Sequence, residues 1–358
     1  MYRENTHNCL IVLTLGLFLS SCRSSALKAD GVIAPPSNYS PAISEPLLSY
    51  GENYGGHFSP DGEKILFISR ERTKHKHPQV YELNLRTHKD RRITFQDGEI
   101  FDAVYGQKEN ELIYSSSTDE IKENPQFIRQ SFDRERKVQN DESNFKNLYG
   151  ELLAPSEIYL SSGDGRKIRR LTDSVGFDGQ IAIRPRSSEV ALLSLHHRTK
   201  QLYLLSTSSR GLSPINTRGA DDEFPSFSTD GKQLLWSHGI DDSTKSEIWV
   251  SEPHGGQSRV LITGNGHHLE PVWLPNNEDI LFVSNRDDII NFEIYVAKKD
   301  GTCVRRLTYH AGLDRSPQIS PDGKKLLFTS NRTGQLQLYL ADYSPPPCPA
   351  VIEPVQSK

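Results

Sequence analysis

The residues Ile319-Ser320-Pro321-Asp322-Gly323-Lys324-Lys325-Leu326-Leu327-Phe328-Thr329-Ser330 read as strand, tight turn, strand, and nearly the same words stand at Phe58–Ser69. Pro321 presets φ for a turn and Asp322-Gly323 suits its remaining positions. Leu326-Leu327-Phe328-Thr329 is then a short apolar, β-rich run. The unit recurs. Its first-strand anchors are Phe58, Val104, Ile183, Phe227, Trp273 and Ile319, spaced by 46, 79, 44, 46 and 46 residues. Each anchor is followed by a second apolar strand, such as Leu112-Ile113-Tyr114 or Ile280-Leu281-Phe282. A third strand repeats a polar–aliphatic–aromatic rhythm: Gln79-Val80-Tyr81, Glu157-Ile158-Tyr159, Gln201-Leu202-Tyr203, Glu247-Ile248-Trp249, Glu293-Ile294-Tyr295 and Gln337-Leu338-Tyr339. Five copies add a fourth strand: Arg91–Thr94, Arg169–Thr172, Pro214–Thr217, Val260–Thr263 and Arg305–Thr308.

Four short strands per unit of this length are the mark of a propeller blade. The expected fold is therefore all-β: a six-bladed β-propeller of four-stranded blades over residues 46–344. The sixth copy lacks a fourth strand and runs into Pro345-Pro346-Pro347, which cannot donate to a ladder. Leu47-Leu48-Ser49-Tyr50 matches the fourth-strand pattern, so an N-terminal strand at about 47–50 is expected to complete the last blade. The copies resemble the TolB-type propeller repeat, also called the WD40-like PD40 repeat. Copies two, three and five depart from its turn motif, at 106–110, 184–188 and 274–278. TolB-type proteins carry an α/β domain before the propeller, whereas residues 23–46 here are too few for one. The resemblance therefore implies the fold and an envelope setting, not TolB's own role.

The N-terminus carries an address. Cys9–Leu19 is apolar and too short to span a bilayer, and it fits the h-region of a secretory signal. Leu19-Ser20-Ser21-Cys22 resembles a bacterial lipobox, which implies cleavage after residue 21 and a lipid on Cys22. Arg23 is not the Asp of an inner-membrane retention signal, which favours the outer membrane, facing the periplasm. Residues 22–45 read as a Ser/Ala/Pro-rich tether. Cys303 and Cys348 remain, and an oxidising compartment makes a disulfide between them plausible, with two free thiols as the alternative. A net charge of −4 gives no basic footprint for nucleic acid.

In a four-stranded blade the strand 1–2 and 3–4 turns share one face. The strand 2–3 loops and blade connections share the other. Tight turns such as Pro60-Asp61-Gly62 fall on the first face, and the long polar segments fall on the second. These include the insertion 120–153, where Phe127, Ile128 and Phe132 suit one face of a short helix, and the Pro-rich tail 345–358 lies outside the blades. Binding-face candidates are His75, His77, Asp102, His196, His197, Asp222, His267, His268, Glu270 and Asp314. The acidic ones recur before first strands, so hydrogen bonding within the propeller is the competing account. Adjacent residues on a strand point to opposite sides, so His267 and His268 are not expected to share an ion. No metal or cofactor is assigned. There is no nucleophile elbow, His-Glu-x-x-His or phosphate loop, so no catalytic residue is named. The prolyl-oligopeptidase type carries a similar propeller with an added hydrolase domain, for which no residues follow 342.

The reading is a lipid-anchored, protein-binding scaffold in an envelope complex. The partner would be an envelope protein, such as a peptidoglycan-associated lipoprotein or a subunit of a secretion or motility complex. The alternatives are a metal-assisted lyase or hydrolase on acidic sugars, like some propeller lyases, and a small-ligand sensor.

Overall fold

The computed structural model describes residues 43–348, except 44, 73–74, 76, 109, 124–153, 175, 196–199, 218–220 and 241–244. The signal segment, Cys22, most of the tether, His196, His197, the 127–132 face and the tail beyond 348 lie outside the described residues.

Each unit begins from its turn. In Ser59-Pro60-Asp61-Gly62 the Gly62 N–H donates to Ser59 O at 2.8 Å, and Ser59 Oγ accepts from Lys64 N–H at 2.9 Å. Gly62 has φ +73°, a conformation glycine enters without steric cost. Ser228–Gly231 and Ser320–Gly323 repeat this bond at 2.8 Å. The fifth copy reaches the same geometry without glycine. Asn277 takes φ +54° and donates to Leu274 O at 3.0 Å, a left-handed conformation that Asn tolerates.

Six antiparallel sheets follow in chain order. Blade one holds β1 (Glu52–Phe58), β2 (Lys64–Arg70), β3 (Gln79–Asn84) and β4 (Lys89–Arg92). Blade two holds β5 (Ile100–Tyr105), β6 (Glu111–Ser116), β7 (Glu157–Ser162) and β8 (Arg169–Arg170), with helix α1 (Thr118–Glu123) opening the insertion. Blade three holds β9 (Asp178–Ile183), β10 (Glu189–Ser194), β11 (Gln201–Ser206) and β12 (Leu212–Pro214). Blade four holds β13 (Asp222–Phe227), β14 (Leu234–Ile240), β15 (Lys245–Ser251) and β16 (Arg259–Ile262). Blade five holds β17 (His268–Trp273), β18 (Asp279–Ser284), β19 (Glu293–Lys298) and β20 (Arg305–Arg306). Blade six holds β21 (Asp314–Ile319), β22 (Lys325–Ser330) and β23 (Gln337–Asp342). First strands neighbour one another around the ring, and β1 touches both β5 and β21, so the ring is closed.

The core is divided between the blades. One apolar cluster fills each interface, for example Leu66, Ile68, Val80, Leu112 and Tyr114 between blades one and two. Another, Leu48, Ile65, Phe67, Leu327 and Leu338, joins blade six to blade one. Cross-strand aromatic pairs stiffen the middle of five sheets, with Phe282–Tyr295 centroids 5.6 Å apart and Phe328–Tyr339 5.7 Å, while blade three pairs Leu192 with Tyr203 there.

The fourth strands end earlier than their sequence pattern suggests, because a side chain takes over from the backbone. Val80, Ile158 and Ile294 N–H each donate to a threonine hydroxyl, Thr94, Thr172 and Thr308, at 2.9 Å. The last blade is closed from the N-terminal side. Leu47 N–H donates to Leu338 O at 2.9 Å, matching Ile93 to Val80 at 2.8 Å and Leu307 to Ile294 at 2.7 Å. Ile43 bridges Ala341. Beyond the buried Leu48 the chain bends away and Ser49 and Tyr50 are exposed, so the pairing runs from Ile43 to Leu47 and overlaps the expected 47–50 only at its start, without a regular strand. Cys303 and Cys348 form a disulfide with Cα atoms 5.2 Å apart, tying the last turn of blade five to the segment after β23.

Candidate functional site

The long-loop face is built on polar clips. Third strands begin with the buried Gln79, Glu157, Glu293 and Gln337. Thr94 Oγ1 donates to Gln79 at 2.8 Å, and Thr172 Oγ1 donates to Glu157 at 2.5 Å. Arg170 donates to Glu157 at 2.9 Å and Arg306 to Glu293 at 2.6 Å. Burial lifts Glu157 to about 7, against the pull of Thr172 and Arg170. It lifts Glu293 to about 7 as well, helped by the neighbouring Asp314.

A second ring of residues opens the first strands. Asn53, Ile100, Asp178, Asp222, His268 and Asp314 face the ends of second strands and are all at most 1 % exposed. Asp222 accepts from Trp236 Nε1 at 2.9 Å and pairs with His238 Nδ1 at 2.7 Å. That bond raises the His238 pKa. Asp314 accepts two bonds from Arg332 Nη2, at 3.0 and 2.9 Å. Asn53 Oδ1 accepts from Ser69 at 2.7 Å and from Arg72 at 3.2 Å. His268 Nδ1 meets Ser284 Oγ at 2.8 Å.

Asp102 and Glu270 do something else. They lie inside first strands, where the ladder is interrupted by a bulge, and not before them as expected from sequence. Glu270 has φ +50°, accepts from Arg315 Nη2 at 2.7 Å and from Ser316 N–H at 2.5 Å. Asp102 accepts from Ile181 N–H at 2.5 Å, and Gln180 accepts from Phe224 N–H at 2.8 Å. These are clasps from one blade to the next around the channel. Burial raises Asp102 and lowers His57 opposite it.

The histidines are dispersed. His75 meets His77 O at 2.7 Å and Tyr81 Oη at 2.8 Å, and His77 lies 3.5 Å from Glu99. His267 is partly exposed and packs on Phe292, whereas His268 is fully buried. Among the described residues no three His, Cys, Asp or Glu side chains form a metal-binding group. The face also exposes apolar tips: Ile289 and Ile290 (80 and 74 % exposed) on the loop after β18, and Phe95 on the first blade connection.

Sequence reasoning missed Arg72, Arg286 and Arg332, which reach back to the ring. The signal was readable, since Ser-Asn-Arg occurs at both 284–286 and 330–332.

Residues 241–346 match the family model of the TolB beta propeller domain, PD40. No curated protein matches the chain. A structure described as TolB from Agrobacterium tumefaciens superposes with TM-score 0.59 at 15 % identity, covering 83 % of this chain and 93 % of that one. TolB from Acinetobacter baumannii gives 0.57 at 14 %, covering 80 % of this chain and 65 % of its own length. An oligogalacturonate lyase in complex with manganese gives 0.54 at 16 %, covering 83 and 79 %. The chain thus has a TolB-like propeller fold, one that an oligogalacturonate lyase also has.

Proposed function

We propose that this chain is a protein-binding scaffold of the cell envelope, held by lipid on Cys22 to the outer membrane and facing the periplasm. Its docking face is the long-loop face. The observation that carries this reading is a contrast on that face. Asp102, Asp222, Glu270 and Asp314 are engaged inside the propeller, while Phe95, Ile289 and Ile290 stand exposed at its loops. The acids are turned into bonds within the propeller, and apolar groups that would bury against a partner stand exposed. The partner is expected to be an envelope protein such as a peptidoglycan-associated lipoprotein or a secretion or motility subunit.

The test is photocrosslinking in intact cells from residue 95 or 289, with residue 210 on the tight-turn face as control. A discrete adduct with one envelope protein from 95 and 289, absent from 210, is the expected result. No adduct, or the same adducts from both faces, would end the scaffold reading. Cys22→Ser should move the protein from the membrane to the soluble fraction.

A further inference from the structure

Blades five and six carry matching side chains at the long-loop end. Phe282, Ser284, Arg286 and Tyr295 correspond, by strand register, to Phe328, Ser330, Arg332 and Tyr339. In blade six the Arg332 guanidinium lies over the Phe328 and Tyr339 rings and holds the Asp314 carboxylate through two hydrogen bonds. In blade five the register partner of Ser284 is His268, so the carboxylate is missing. Arg286 Nη1 and His268 Nε2 are both buried without a hydrogen-bond partner among the described residues. The two side chains meet beside Gly264, Arg286 through its other terminal nitrogen, Nη2. A Cβ added to Gly264 would lie 3.7 Å from His268 Nε2 and 3.7 Å from Arg286 Nη2. Gly264 precedes His268 by the same four residues that separate His310 from Asp314.

Ser284 Oγ accepts from Arg286 N–H at 3.1 Å and lies 2.8 Å from His268 Nδ1. When the hydroxyl donates to Nδ1, Nε2 carries the ring proton and is a donor toward the spot. Burial and the nearby Arg286 hold the His268 pKa down at about 4, so the ring is neutral at pH 7. The spot thus presents one half-buried guanidinium, whose Nη1 is buried without a partner among the described residues, and one neutral imidazole nitrogen, and such a guanidinium favours a counter-charge. The matching ligand is a planar anion of single charge.

We propose that blade five binds the carboxylate of a small organic acid beside Gly264, between Arg286 and His268, giving Arg286 the counter-charge that Asp314 gives Arg332 in blade six. This goes beyond the docking reading and does not depend on it.

The full chain, labelled with ¹⁵N-histidine, is titrated with acetate and with D-galacturonate at constant ionic strength. Acetamide and D-galactose are the neutral controls. The expected result is a saturable shift of the His268 ring signals and a saturable rise in Tm with at least one acid, and neither with the neutral compounds. Arg286→Gln should abolish both responses. His268→Asp should rebuild the internal pair, raising Tm without ligand and abolishing the acid response. No saturable response to either acid means that the spot holds water only, and overturns the proposal. An undiminished response in Arg286→Gln overturns it equally.

Discussion

Blades five and six are built from the same words and end differently. In blade six the ring position is Asp314, which neutralises Arg332, and the second-to-third-strand loop turns through Thr333-Gly334 and keeps its one large apolar side chain, Leu336, half-buried. In blade five the ring position is His268, Arg286 keeps an unpartnered nitrogen, and the loop exposes Ile289-Ile290. A repeated fold holds its strands by apolar interfaces and aromatic pairs common to both blades. The polar end of each copy is therefore free to be structural in one and available in the next.

The sharpest break of this comparison removes each ring residue in turn. Asp314→Ala leaves the largely buried Arg332 without its counter-charge and should cost about 3–5 kcal/mol. His268→Ala removes a neutral ring bonded to Ser284 and should cost only about 1–2 kcal/mol. Urea unfolding of both variants measures the difference, and equal losses would mean that the two positions do the same work.

Next in size is the link between these two blades. The Cys303–Cys348 disulfide closes a loop over a separation of 45 residues and restrains the segment that follows β23. Replacing both cysteines by serine should lower stability by about 2–4 kcal/mol. The midpoint in urea should fall without a loss of cooperativity, because six interface clusters still join the blades into one ring.

The fold was legible because its signals are periodic. Turn residues, apolar second strands and the Gln/Glu–aliphatic–aromatic third strand recur at nearly fixed spacing, and each copy is read against five others. Asn277 replaced glycine without changing the turn of the fifth copy, whereas copies two and three carry their positive φ at Asn110 and Arg186, one residue later and one earlier in the turn. The site was less legible for a physical reason. Asp102 and Glu270 look like exposed binding acids in a polar stretch. Bulges turn them toward the next blade's amides, and no local pattern of side chains announces a bulge. The spot at Gly264 appears only when equivalent positions of two blades are compared in register. A glycine and a histidine are unremarkable until an aspartate is seen in the neighbouring copy.

A smaller effect separates the blades by pH. Glu293 of blade five has the place of Gln337 in blade six, and burial raises its pKa to about 7. A carboxyl whose folded pKa lies above its unfolded value adds stability that is complete below the unfolded pKa. That stability is lost as pH rises through the folded pKa, so the window runs from about pH 4.5 to pH 7. Stability should fall by about 1–2 kcal/mol across it, with Glu157 of blade two contributing in the same direction. Glu293→Gln, which copies blade six, should flatten the profile of the urea midpoint between about pH 5 and pH 8. An unchanged slope would remove Glu293 as its source.

The smallest expected effect tests what the exposed tip of blade five is for. Ile289 and Ile290 are 80 and 74 % exposed, so the fold gains little from them. The turn beneath is held by Asn285 Nδ2 donating to Ile289 O at 2.9 Å and by Ile290 N–H donating to Asp288 at 3.2 Å, bonds that do not involve the isoleucine side chains. Changing both to serine should therefore shift stability by less than about 0.5 kcal/mol. If the tip is a docking element, the same double variant should weaken crosslinking from residue 95 on the distant first blade connection while the urea midpoint stays put. If crosslinking from residue 95 is unchanged, blade five contributes nothing to docking. Its difference from blade six would then reduce to the Arg286–His268 pair beside Gly264.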